Sequence, residues 1–205
     1  MKSVLISIQP KWCELIASKK KTLEVRKTRP KIETPFKCYI YCTKSENEFL
    51  QSRNNVLFYC ENRDFIGGHG CGLYQRLNGK VIGEFVCDRI QSYECEFVDD
   101  DCYEEIASVF VDEDEDETGF IEWSNDSDFP YESIDLYKES CVPYEELKKY
   151  IGLGFNKFYG WHISDLVIYD KPKELSEFVV ERYPCLERLT RPPQSWCYVE
   201  GGVQE

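Results

Sequence analysis

The run Lys21-Thr22-Leu23-Glu24-Val25-Arg26 holds an amine, a hydroxyl, a carboxylate and a guanidinium within six residues. Side chains alternate along an extended chain. Thr22, Glu24 and Arg26 therefore share one face, and Leu23 and Val25 the other. Lys21 sits where a turn can swing its amine over the polar face. A cation, an anion and a second cation in so small a space suit the grip of a phosphate or a base edge, with Arg26 as the fork. If the site is dry, they also suit an amine tuned to act as base or nucleophile, with Glu24 activating water and Lys21 or Arg26 holding an oxyanion. The same spacing equally fits an exposed strand face laced with cross-strand ion pairs.

Two further groups bear on ligand binding. Trp161-His162 offers an aromatic face for a base and a ring nitrogen to hydrogen-bond it, or else a core tryptophan beside a satisfied histidine. Lys19, Lys20, Lys21, Arg26, Lys27, Arg29 and Lys31 cluster in an otherwise acidic chain, with Lys19, Lys20, Lys27 and Arg29 placed to track a nucleic-acid backbone. Gly67-Gly68-His69-Gly70 lacks the Lys-Ser/Thr of a phosphate loop. The acidic run from Asp112 has no glycine at the sixth position of a calcium loop. The 11 cysteines include no Cys-x-x-Cys pair, and Cys38 and Cys42 share a strand face with Ile40. They read as buried thiols, and no metal or cofactor is expected.

The elements that must position these groups follow from periodicity and turn chemistry. Residues 3–8 form a strand. Pro10 opens a helix to about residue 18 with Trp12, Cys13, Leu15 and Ile16 as its apolar stripe. Strands follow at 22–26 and 37–42, then an irregular stretch at 44–78. Asn78-Gly79 turns the chain into a strand at 81–88. Residues 93–140 carry Asp99-Asp100-Asp101 and the run 112–117, and read as an acidic insertion. A helix spans 140–152, a strand 158–169, a helical turn 172–178, and Trp196 pins an extended proline-containing tail.

The segment around Lys21 resembles the signature of the ASCH domain family, Gly-x-Lys-x-x-Glu-x-Arg, with Lys21, Glu24 and Arg26 at the charged positions and Lys19 at the glycine. Met1–Arg26 resembles the strand-helix-strand opening of that family. Lys80-Val81-Ile82-Gly83-Glu84-Phe85 resembles its central strand, and Phe158–Leu166 the closing strand of its larger bacterial and prophage members. The resemblance covers about half the chain. It implies an α+β fold: a PUA-like mixed β-barrel with flanking helices and the acidic insertion. A domain at 1–171, with its insertion at about 93–140, would precede an extension at 172–205 packed on the barrel. It implies binding of RNA or a modified nucleotide through Lys21, Thr22, Glu24, Arg26, Trp161 and His162. One subgroup removes the acetyl group of N4-acetylcytidine. Its lysine matches Lys21, but its threonine position is Glu24 here, and its glutamate has no assigned counterpart. An enzyme of this chain would thus be a Lys-dependent amidohydrolase using Lys21 and Glu24.

Composition bounds the alternatives. A net charge of −13 repels phosphate at long range, so nucleic-acid contact must be local. The same charge fits a third reading, a phage-borne module that engages a basic protein surface through 99–117. No run approaches the roughly 18 apolar residues of a membrane span. The apolar run at residues 4–8 is too short for a signal-peptide core. With an odd number of cysteines, a cytoplasmic protein is expected.

Overall fold

A computed structural model of the chain describes residues 2–53, 56–61, 75–97, 108–112, 118–121, 135–182 and 185–200. In chain order its elements begin β1 (Lys2–Ile8), α1 (Pro10–Ala17), β2 (Leu23–Arg26), β3 (Phe36–Cys42), β4 (Glu48–Arg53), β5 (Val56–Glu61), β6 (Gln75–Arg76) and β7 (Val81–Cys87). They continue with β8 (Ile90–Phe97), β9 (Ser108–Asp112), β10 (Thr118–Ile121), α2 (Asp135–Ser140), α3 (Tyr144–Ile151), β11 (Gly154–His162) and β12 (Ser164–Lys173). A 3-10 turn at Leu175–Glu177 leads to β13 (Val179–Arg182), β14 (Cys185–Arg188) and β15 (Trp196–Glu200). The described residues are mostly sheet. Among the described residues no helix is long and apolar enough to cross a membrane. The elements fall into two compact units, one of residues 1–20, 35–87 and 164–205, the other of 21–34 and 88–163.

The first unit holds a seven-stranded sheet in the order β12-β7-β3-β1-β15-β13-β14 and a three-stranded sheet, β5-β4-β6. β1 runs parallel to β3, with Val4 opposite Cys38, and antiparallel to β15, with Leu5 opposite Cys197. Strict alternation puts Leu5, Tyr39 and Tyr41 into one core with Val81, Phe178 and Val199. Cys38 and Cys42 are fully buried.

α1 ends in a defined motif. The Lys20 amide donates to Leu15 O at 2.9 Å and the Lys19 amide to Ile16 O at 2.8 Å. That is the six-to-one, five-to-two closure of a Schellman cap, and Lys19 takes its left-handed position at φ 60°. The glycine of the resembled signature thus falls on a residue that needs positive φ, and a lysine occupies it under strain. The Asn78-Gly79 turn forms as expected, with Gly79 at φ 82°. The Asn78 carboxamide ties it down, accepting from the Leu50 amide at 2.9 Å and donating to Thr43 O at 3.1 Å and Glu48 O at 3.0 Å.

The second unit is a five-stranded sheet, β10-β9-β8-β11-β2, with α2 and α3. β8 and β11 pair antiparallel along eight residues, from Gly154 opposite Phe97 to Trp161 opposite Ile90. Leu23, Val25, Tyr93 and Phe158 form its core with Leu136, Leu147 and Ile151. The Tyr93 and Phe158 rings stack at 5.1 Å. α3 stops at Gly152, φ 101°.

Four expectations change. No sheet among the described residues closes on itself, so the expected barrel is not closed there. The stretch 44–78 contains a hairpin of β4 and β5, whose alternating Phe49, Gln51 and Val56–Cys60 suit strands. The strand expected at 158–169 is two strands in two sheets: Ile163 leaves the ladder, its amide donating to Thr22 O at 2.8 Å, and Asp165 turns at φ 45°. The tail is a paired strand, β15, with Trp196 opposite Ile6. His69, Cys71 and most of the acidic segment 99–117 lie outside the described residues; Ser108–Asp112 form β9.

Candidate functional site

β2 is an edge strand of the second unit, held against β11 in the register Leu23–His162, Val25–Gly160, Glu24–Trp161 and Arg26–Tyr159. Residues directly opposite share a face, so Glu24, Arg26, Trp161 and Tyr159 lie together, away from the Leu23–Phe158 core. Gly160 permits the close pairing: a β-carbon there would stand 2.8 Å from the Leu23 side chain. The Thr22 backbone is fixed from two directions, donating to Glu139 O at 2.8 Å and accepting from Ile163. This fixes the stem of Lys21.

Lys21, Glu24 and Arg26 converge, and they are buried, at 2%, 5% and 8% exposure. The Lys21 ammonium donates to Ser140 O at 2.6 Å and stands 3.3 Å from Glu24 Oε2. Arg26 Nη2 lies 2.8 Å from Glu24 Oε1. One carboxylate therefore sits between two cations. Burial pushes the Lys21 amine below its ordinary range; Glu24 opposes this, and the nearby Arg26 charge adds to it. The carbonyl contact is the part that spacing could not supply, since Ser140 is 119 residues away and comes from the end of α2.

Trp161 is fully buried on the Glu24 face. His162 is half-buried; its Nδ1 lies 2.6 Å from Asp88 Oδ1, and its amide donates to Arg89 O at 3.1 Å. A carboxylate at Nδ1 fixes the ring and leaves Nε2 as the second functional atom. Thr22 is half-buried, and Lys19, Lys20, Lys27 and Arg29 are exposed.

Next to this set lies an open groove of about 880 Å³, walled by the 27–34 loop on one side and by Ile90 and Tyr159 on the other. The loop brings Lys27, Arg29 and Lys31 against one carboxylate, Glu33. The Arg29 guanidinium sits 5.9 Å from the Tyr159 ring centre, and the Lys27 ammonium 5.4 Å from that of Tyr150. Across β11, Ser92 faces Tyr159 with a buried hydroxyl that has no hydrogen-bond partner among the described residues. Sequence reasoning did not single out Tyr159. The signal was there: two residues before Trp161, it must share that residue's face. Asp88 as partner of His162 had no such signal, because the pair is made by the turn from β7 into β8.

No family model and no curated protein matches the chain. Two solved structures are similar to it, both of an ASCH protein from Zymomonas mobilis. One shares 16% identity over 97% of this chain and 88% of that one, with a TM-score of 0.49. The other, a mutant of the same protein, gives 16% identity, 98% and 92% coverage, and a TM-score of 0.49.

Proposed function

We propose that the second unit binds RNA or a modified nucleotide, in an ASCH-type, PUA-like domain, through the groove beside the Lys21–Glu24–Arg26 triad. One observation carries this: three cations and a tyrosine ring line a groove in a chain whose net charge is −13. Cations concentrated where the rest of the surface repels phosphate define a local anion site. The triad acts from behind the groove. Its carboxylate holds Arg26 and Lys21 in place, with Arg26 directly opposite the groove residue Tyr159 on the paired strand. Trp161 and the His162–Asp88 pair stiffen the same strand end.

The test is binding of a short labelled RNA as a function of salt. Three phosphate contacts give a log–log slope of about −2 on a single strand. Removing charge at Lys27, Arg29 and Lys31 together should flatten the slope and lower affinity. Affinity that ignores both salt and these charges would overturn the reading.

A second reading rests on the lowered Lys21 amine beside a carboxylate. That pair suits hydrolysis of an acylated nucleobase such as N4-acetylcytidine. Deacetylation abolished by Lys21→Ala would support it, and an inactive wild type removes it. Engagement of a basic protein through 99–117 is carried by the sequence alone.

A further inference from the structure

We infer that Tyr159 is a stacking platform for an unpaired nucleobase, so that the groove selects single-stranded over duplex nucleic acid. This rests on the groove being a nucleic-acid site and goes beyond it by naming the form of ligand. The ring is half-buried in the groove wall, mounted on an interior strand between β8 and β2. Its cross-strand neighbours, Ser92 on one side and buried Arg26 on the other, fix its base and leave its outer part in the groove.

Arg29 is the only described cation over that ring, and it is exposed and at 5.9 Å, near the outer limit of a cation–π contact. Stacking of a base on an aromatic ring is the stronger interaction. A base therefore takes the ring face, and Arg29 either caps the base or turns to its phosphate. Lys27 and Lys31 lie along the same loop to hold flanking phosphates. A paired base cannot do this, because its faces are already stacked inside the helix. The shared ligand chemistry is an unpaired base with phosphates on both sides, which RNA and DNA both offer.

The experiment is fluorescence anisotropy with labelled 12-nucleotide oligouridine, 12-nucleotide oligodeoxyuridine and a 12-base-pair RNA duplex, at low and moderate salt. The proteins are wild type, Tyr159→Leu, Tyr159→Phe and the Lys27/Arg29/Lys31→Gln triple variant, each confirmed folded by its melting temperature. Wild type should bind a single strand at least tenfold more tightly than the duplex. Tyr159→Leu should lose about tenfold on the single strand with its salt slope unchanged, as expected for one stacked base. Tyr159→Phe should bind as wild type. Preference for one oligonucleotide assigns the sugar. Equal binding of strand and duplex, or unchanged binding in Tyr159→Leu, overturns the platform while a salt-dependent affinity keeps the groove. No binding to any probe, or binding unaffected in the triple variant, overturns both.

Discussion

Glu24→Gln should damage the fold far more than Lys21→Met, although both remove one charge from the same triad. Glu24 lies 3.3 Å from the Lys21 amine and 2.8 Å from the Arg26 guanidinium. Glutamine keeps the volume and removes the only anion of the three, leaving two buried cations face to face. Breaking a buried pair in this way costs about 3–5 kcal/mol. Lys21→Met removes a cation and its bond to Ser140 but leaves Glu24–Arg26 balanced and ends the cost of burying an ammonium. Its net effect should be within about 1–2 kcal/mol. In a chain of this size each kcal/mol moves the melting temperature by about 2–4 °C, so the two variants should separate by several degrees. Urea unfolding provides the second measurement, and the double variant should cost at least about 1 kcal/mol less than the sum of the singles. The pH dependence adds a check of sign. The folded-state pKa of Lys21 is lowered below 10.5 by burial, so between the two values the unfolded chain binds more protons. Stability contributed by this site is therefore lowest below the folded pKa and rises as pH climbs toward 10.5. Wild type should gain on Lys21→Met over that window. Glu24→Gln within about 1 kcal/mol of wild type, or a flat difference with pH, would refute the description of a desolvated triad.

Lys19→Gly should stabilise by about 0.5–1 kcal/mol: it relieves the left-handed strain of a β-carbon at φ 60°, less the entropy glycine gains on unfolding. Calorimetry checks it, and a loss of stability would show that the lysine side chain contributes more than its strain. Gly83→Ala should destabilise by more than about 2 kcal/mol, because the new methyl would stand 2.4 Å from Val167 O, a backbone atom of the paired strand. Urea unfolding reads it, and a neutral outcome would mean that β7 and β12 separate at little cost. Tyr169→Phe should move the acid limb of unfolding to higher pH. Burial alone would raise the Glu84 carboxyl, but hydrogen bonds from Lys37 and Tyr169 hold it below its ordinary value. That stability is present above the ordinary carboxylate pKa and is lost as pH falls through the folded one. Without the Tyr169 hydroxyl, Glu84 should titrate nearer its usual range in a carboxylate-resolved NMR titration.

Local rules carried the first part of the chain. Pro10, the apolar stripe through Ile16 and the Lys21–Arg26 alternation fixed a strand, a helix and a strand, and which charged residues share a face. Asn78-Gly79 fixed a turn, and the glycine position of the resembled signature fell on a residue with positive φ. These are readable because a helix period, a strand period and a turn's dihedrals depend only on neighbours within four residues. Pairing and burial do not. The sequence held the aromatic run at 158–169 as one strand, and only the donation of Ile163 to Thr22 breaks it between two sheets. β15 finds β1 across nearly the whole chain, and nothing in Trp196–Glu200 names that partner. The alternation put Glu24 and Arg26 together but left open whether water reached them. Ser140, brought in by α2, and Trp161 and Tyr159, brought in by β11, decided that the triad is dry and that the groove beside it keeps the exposed cations. Which residues share a face is a property of the backbone; which face is buried, and against what, depends on contacts between residues far apart in sequence.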